Sequence, residues 1–456
     1  MNLENMRVTL VGLGRSSVAA ARLLHQKGAR PFISEADDTP KLEKWLDQAT
    51  AFGIPCEIGG HSPDAFAEAE LIIVSPGVPI TASCLDQPRA KGIPILGELE
   101  FAARFCTARI LALTGTNGKT TATSLLENMV KCSGHTVALA GNNDTPLSQV
   151  MLETTQPEYV VLEVSSYQLE TTVEFHPAVA GVLNLTVDHL ARHGSMQGYA
   201  DTKARIFMCQ QPGDAAVLNA DDPLVAAMTT PVGVERFFFS LEKGGERTLH
   251  VEGDYICCGQ EPIASMEDNP LPGRHNLANV LACLAVMKAA GFPWEGPLEG
   301  LRSFKGVEHR IEFVLKLQDV DYYNDSKSTN MDSLRVALQS FSRPVVLIAG
   351  GRGKGGDYKE LNALVKKHVK HLVLIGEDAP KMEAAFGTLA PATRAGSMMD
   401  AVRTAQALAQ AGDVVLLSPA CASFDMYDNF EARGRDFKEC VLRLDEDRET
   451  REEPHS

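Results

Sequence analysis

The chain has 456 residues, of which 44% are hydrophobic and 22% charged, and a formal net charge of −16. That balance is ordinary for a soluble globular protein. It excludes the broad basic surface that nucleic-acid binding needs, and the length suggests roughly two to four domains. No apolar run reaches the ~18 residues of a membrane span, so no membrane insertion is expected. The start, MNLENMRVTLVGLG, lacks the features of a signal peptide, and a cytoplasmic location is expected. Ten cysteines are scattered, with Cys257-Cys258 the one close pair. No CxxC occurs, so spacing suggests neither a zinc site nor a redox pair, and the thiols are expected to be reduced.

The first block, 1–108, opens with the buried strand RVTLV and a glycine turn, followed by the helix SSVAAARLLHQKG and the strands RPFIS and LIIVSPG. Strands alternating with helices predict a parallel sheet. The turn VGLGRSS has Gly12 and Gly14, but Ser17 stands where a dinucleotide fingerprint has its third glycine, and Glu35 follows about 20 residues on. It reads equally as a phosphate-holding helix start or a plain strand-to-helix turn.

The second block, 109–305, begins with LALTGTNGKTT. Leu113 occupies the place of the first glycine in G-x-x-x-x-G-K-[ST], so the loop is shorter than the common phosphate loop. Gly115, Thr116, Asn117 and Gly118 still offer backbone N–H groups to phosphate oxygens. Lys119 adds a positive charge, and Thr120 or Thr121 a hydroxyl for Mg²⁺. The alternative is a Thr-capped turn with a surface lysine. Glu163 interrupts the strand YVVLE, and a buried carboxylate is costly unless paired or metal-bound. NLTVDHLARHGSMQGYADTKARIF then gathers Asn184, Asp188, His189, Arg192, His193 and Lys203 after another strand, where open α/β sheets place their ligands. A β-rich patch near 235–263 and the helix HNLANVLACLAVMKAAG, stopped by Gly291, complete the block.

The third block, 306–456, has the strands VVLIAGG, HLVLIG and DVVLLSP between helices. Three polar turns follow strands: YYNDSKSTN, IAGGRGKGGD and LLSPACASFDMYDNFEARG. Three such turns in one sheet suggest a ligand edge. The end, DEDRETREEPHS, reads as a frayed acidic tail.

These motifs together resemble the Mur ligases over about residues 7–440. GTNGKTT, LEVSSYQLE, NLTVDHLARH, YADTKARI and GRHNLANVLAC carry the family likeness, while NDSKSTN and SPACASFDMYDNFEARG are similar to its D-glutamate-adding branch. The resemblance implies three α/β domains: an N-terminal Rossmann-like domain, a central P-loop-type ATPase with a parallel sheet and small β patch, and a C-terminal Rossmann-like domain. It implies an ATP-dependent, ADP-forming ligase, acting as a monomer, that joins D-glutamate to UDP-N-acetylmuramoyl-L-alanine through an acyl phosphate and a tetrahedral intermediate. Another amino-acid-adding ligase of the superfamily, or a folylpolyglutamate-type ligase, is the alternative. A nucleotide-binding regulator that lost the chemistry is another, against which the intact Lys119, Glu163, His189 and Lys203 speak.

By the same resemblance, Lys119 meets the γ-phosphate, and Thr120, Glu163, His189 and a CO₂-derived carbamate on Lys203 hold two Mg²⁺ ions. Asn276, Asn279, Arg310 and Asp325 contact ATP. Asn142, Lys327, Thr329, Lys354, Ser423 and Phe430 line the acceptor and D-glutamate sites, and Ser16, Ser17 and Gly77 the UDP loops. Three positions depart from the family pattern: GNND at 141–144 in place of G-N-I-G, Glu308 before His309-Arg310 in place of proline, and Ala191 in place of an acidic residue.

Overall fold

The apolar runs fold as strands buried on both faces, as parallel strands between helices must be. Leu111, Leu113, Val160, Val161 and Leu162 are all fully buried. The computed structural model describes the chain except Asp144, His189, Lys243, Lys354 and 453–456, and the side chains of Ala191 and of 446–452. By compactness the chain forms two units, Met1–Asn269 with Ala278–Phe304, and Pro270–Leu277 with Lys305–Ser456.

The first unit holds two sheets. The smaller has five strands in the order Cys56–Glu57, Arg30–Ser34, Arg7–Val11, Leu71–Val74, Ile95–Gly97. Its direction of winding reverses between Arg7–Val11 and Leu71–Val74, the switch point at which such sheets bind ligands. The larger has nine strands, ending Val179–Val182, Arg109–Thr114, Tyr159–Glu163, Val137–Gly141 on one side. The expected β patch is the other end of this same sheet: Glu235–Ser240 and Thr248–Glu252 pair in parallel, then Tyr255–Cys258 and Glu261–Ser265 add as antiparallel strands.

Two acidic residues tie the sheets together inside this unit. On the helix Glu98–Ala103, Glu100 is buried and accepts from the backbone N–H groups of Val173, Glu174 and Phe175 at 2.9–3.2 Å, and from Arg104. Glu98 accepts from Ser148 N at 2.8 Å, and burial pushes its carboxyl above the usual range. The helix Arg274–Ala289 crosses the division between the units, and Val280 to Met287 are buried all round, as a helix apolar on every side requires. Gly291 follows it at φ +86°, the expected left-handed stop.

The second unit has one six-stranded sheet in the order Glu312–Leu317, Val320–Asn324, Val414–Leu417, Val345–Gly350, Val369–Ile375, Ala392–Arg394, parallel except for its first strand. The last helix runs Phe430–Glu452, so the backbone of the acidic segment read as a frayed tail is helical down to Glu452. Arg and Glu are good helix formers, and Glu439 and Arg443 lie four residues apart on one face.

Candidate active site

Parallel pairing brings the ends of the central strands to one edge. Leu113 and Gly141 both register with Glu163, and Thr114 with Val182. The loop 115–118 therefore starts beside Glu163 and beside the segment after Val182. Gly118 caps the helix Lys119–Cys132 at φ +81°, and a Cβ there would lie 2.5 Å from Asn279 Oδ1. Only glycine suits both the left-handed backbone and that approach.

Asn184, noticed in the sequence only as part of a polar cluster, braces the loop. Its backbone carbonyl accepts from Thr116 N, its Oδ1 from Asn117 N, and its Nδ2 donates to Asn117 O, at 2.9–3.0 Å. Thr116 Oγ1 accepts from Thr186 N and lies 3.3 Å from Tyr199 OH. The loop is thus held from outside by the next strand's continuation. Thr121 is buried while Thr120 stays partly open.

Glu163 is 2% exposed. Its Oε1 accepts from Asn142 Nδ2 at 2.9 Å, and Asn142 N donates to Glu163 O at 2.7 Å. Its Oε2 is buried with no hydrogen-bond partner among the described residues. An orphaned carboxylate oxygen is costly, and a hard divalent cation relieves it. Of the GNND departure, Asn142 stays on Glu163 and Asn143 Oδ1 accepts from Thr145 N, while Asp144 lies outside the described residues.

Two lysines meet at one carbonyl. Lys119 Nζ donates to Gly115 O and Thr116 O, both at 2.9 Å, and Lys203 Nζ donates to Gly115 O at 2.9 Å and Thr114 Oγ1 at 3.2 Å. Lys203 is 1% exposed, and burial first, then the Lys119 charge, lowers its pKa from 10.5 to about 7, against an opposing pull from Asp188. Nearby, Glu170 takes both Arg192 Nε and Nη2, Arg192 stacks 4.5 Å from the Tyr167 ring, and His193 Nε2 lies 3.0 Å from Ser166 Oγ. His193 and Arg192 therefore build the wall of the site. His189, the second expected metal ligand, lies outside the described residues.

At the switch point of the smaller sheet, a Cβ on Gly12 would lie 2.9 Å from Ser75 Cβ, so the turns GLGRSS and SPGV are adjacent. Ser16 and Ser17 stand in the first turn of the helix Arg15–Gln26, and Gly77 is exposed in the second turn. Glu35 accepts from Leu13 N at 2.6 Å and from Asp37 N at 2.9 Å, so it braces the first turn.

In the second unit, Asn324 registers with Leu417, and Leu417 with Ile348, again aligning strand ends. Asp325 Oδ2 accepts from Ser418 Oγ at 2.7 Å and Oδ1 from Ile311 N. Burial pushes its carboxyl up to about 7, against the Ser418 hydrogen bond and the Arg310 charge. Arg310 Nε is buried without a hydrogen-bond partner among the described residues. Lys327 Nζ lies 5.5 Å from the Phe430 ring, and Ser423 is buried in the turn that follows the strand Val414–Leu417. Thr329 is partly buried just before the helix Met331–Gln339; Lys354 lies outside the described residues. Asn276 Nδ2 donates to Pro272 O, and Asn279 faces Gly118.

Arg433 was missed in the sequence, where it sits unremarked in NFEARG. It is 1% exposed and donates from Nε to Ser326 Oγ, from Nη2 to Ser326 O and from Nη1 to Cys421 O, at 2.8–3.1 Å. It joins NDSKSTN to SPACAS. Beside this junction Tyr358 OH donates to Asp378 Oδ2 at 2.8 Å, at the edge of a cavity of about 330 Å³ also lined by Gly355, Lys359 and Lys381.

A nucleotide-loop α/β protein with a second unit carrying its own polar edge is what the fold and these groups define. Three family models match in turn: the MurD-like N-terminal domain over 6–97, the Mur ligase middle domain over 113–287, and the Mur ligase glutamate ligase domain over 309–421. The chain belongs to the Mur ligase family. A UDP-N-acetylmuramoylalanine–D-glutamate ligase of Pelotomaculum thermopropionicum is 42% identical over 451 residues, 96% of this chain and 98% of that one. One of the same name from Acidobacterium capsulatum is 40% identical over 448 residues, 97% of each. Among solved structures, MurF of Acinetobacter baumannii matches with a TM-score of 0.60 at 20% identity, over 95% of this chain and 93% of that one. The UDP-N-acetylmuramate–alanine ligase of Thermotoga maritima matches at 0.57 and 20%, over 97% and 100%. The last two share the fold.

Proposed function

We propose that this chain is an ATP-dependent, ADP-forming ligase that adds D-glutamate to UDP-N-acetylmuramoyl-L-alanine during peptidoglycan precursor synthesis. Residues 1–108 take the UDP moiety, 109–305 the ATP, and 306–456 the amino acid. The observation that carries the reading is the central edge itself: a phosphate loop, a buried carboxylate with one oxygen unpaired, and a buried lysine, all within reach of one another.

Joining a carboxylate to an amine needs the carboxylate activated as an acyl phosphate, a mixed anhydride formed on the γ-phosphorus as ADP leaves, and attack on a polyanion demands charge neutralisation and alignment. Loop N–H groups from 115–118 and Lys119 hold the phosphates. Glu163 Oε2, Thr120 Oγ1 and a carbamate on Lys203 would offer Mg²⁺ the oxygen donors that fit a hard ion, with His189 a nitrogen donor, and the ion would supply charge neutralisation at the phosphates. Lys203 reaches carbamate by attack of its neutral amine on CO₂: the N–C bond forms, one C=O pair moves to oxygen, and a proton leaves to solvent. In the third sheet, Lys327 and Ser423 face the D-glutamate carboxylates, with Phe430 beside Lys327.

Phosphate release with UDP-N-acetylmuramoyl-L-alanine and a panel of amino acids tests the assignment. D-Glutamate should support turnover. Turnover with L-alanine or a diamino acid but not D-glutamate would refute it.

A further inference from the structure

The hairpin at the far end of the central sheet lies outside everything assigned above. Its strands Thr248–Glu252 and Tyr255–Cys258 pair with His250 directly opposite Cys257, and Glu252 two residues along from His250. Alternation along a strand puts side chains two apart on one face, and a directly opposed pair shares it. His250, Glu252 and Cys257 therefore point the same way. One ligand atom from each lies within 4.8 Å of the other two, and His250 Nε2 is 3.9 Å from Glu252 Oε2.

The imidazole is set for coordination. His250 Nδ1 lies 3.2 Å from Thr248 O. A carbonyl only accepts, so Nδ1 carries the proton, and Nε2 is left with its lone pair toward Glu252. That is how histidine ligands are oriented at metal centres, by a backbone carbonyl on the other nitrogen. His250 and Cys257 are buried, which fixes their positions, while the Glu252 side chain is 79% exposed and free to close the site. The passing loop leaves space because residue 244 is glycine: a Cβ there would lie 2.7 Å from Nε2.

We propose that His250, Glu252 and Cys257 form a binding site for a borderline-soft divalent cation of the Zn²⁺ class. Thiolate, imidazole and carboxylate are zinc's own ligand set, and a hard Mg²⁺ ion has no use for sulfur. Water completes four-coordination. The ion would cross-link the two antiparallel strands of the hairpin. The CxxC rule passed over it because the donors are seven residues apart in sequence and meet only through strand register.

Co²⁺ titration of the full chain, with a sulfur-free reductant, tests this. Expected is a thiolate-to-cobalt charge-transfer band with tetrahedral visible bands, saturating at one equivalent. Cys257→Ser should abolish the charge-transfer band, His250→Gln, which removes a direct ligand, should weaken binding by at least the ~10–100-fold that loss of an outer-shell partner costs, and Cys258→Ser, on the opposite face, should leave both unchanged. Oxygen-donor sites at the phosphate edge give no thiolate band, so Co²⁺ bound there cannot mimic the result. Absence of the band, its persistence in Cys257→Ser, or equal loss in Cys258→Ser would overturn the proposal.

Discussion

Asp325 offers a measurable consequence of burial. Its carboxyl is moved from 3.8 to about 7, mainly by desolvation. Between those values the unfolded chain has released a proton that the folded chain keeps. Unfolding then releases a proton, and this residue's contribution to stability is complete below pH 3.8 and falls as pH rises through about 7. At about 1.4 kcal/mol per pH unit, the ionised form above pH 7 costs roughly 4 kcal/mol. Asp325→Asn keeps the shape, the acceptor for Ile311 N and a polar partner for Ser418 Oγ, and it cannot ionise. The stability of wild type minus variant, from urea unfolding followed across pH 4–8, should therefore drop by several kcal/mol as pH rises, leaving the variant the more stable at pH 8. A difference that stays flat across this range, or rises with pH, would refute the assignment of the shift to burial.

Other substitutions probe the remaining parts. Glu163→Gln removes the anionic oxygen but keeps an acceptor for Asn142, so kcat should fall at least about 100-fold with thermal stability unchanged or raised; steady-state phosphate release and a melting curve check both. Lys203→Ala should abolish most activity, and short carboxylates or added bicarbonate should discriminate, the former restoring some turnover and the latter none. Glu100→Ala strands the N–H donors of Val173, Glu174 and Phe175, the last of them buried, together with Arg104, and should cost about 1–3 kcal/mol in urea unfolding. Arg433→Met removes three hydrogen bonds between the NDSKSTN and SPACAS turns, and should raise the KM for D-glutamate about tenfold or more while leaving the KM for ATP within about twofold.

Local patterns made much of this legible. The strands, the shortened loop and its helix, and the three polar turns of the last sheet follow from apolar runs and glycines, which act over a few residues. The family resemblance supplied roles for them. What stayed hidden depends on pairing across the sheet or on burial. Asn184 braces the loop through contacts nearly 70 residues away. Arg433 reads as a surface arginine on a charged helix until the fold closes around it. The ion-ligand trio of the β hairpin exists only in the register of two strands. Glu35, whose spacing fits a ligand contact, also accepts from the N–H groups of Leu13 and Asp37, a bracing role that spacing alone does not show.

The two lysines at Gly115 O give the central edge its logic. Two ammonium groups on one carbonyl repel each other, and in a buried site that repulsion is poorly screened. Lys119 is partly exposed at a helix start and keeps its charge for phosphate. Lys203 is enclosed, and its proton is the one the fold displaces, near pH 7. A neutral buried amine beside a cation is a poor stabiliser of the fold, so its place there calls for a chemical reason. On the reading proposed above, carbamate formation would supply one: it would convert the group from a competitor of Lys119 into an anion able to pair with it. The same argument predicts that Lys119→Met, by removing the repelling charge, raises the Lys203 pKa and weakens CO₂ uptake at pH 7. Labelling with ¹³CO₂ reads this directly as a smaller carbamate signal, and an undiminished signal would show that burial alone sets the lysine's state.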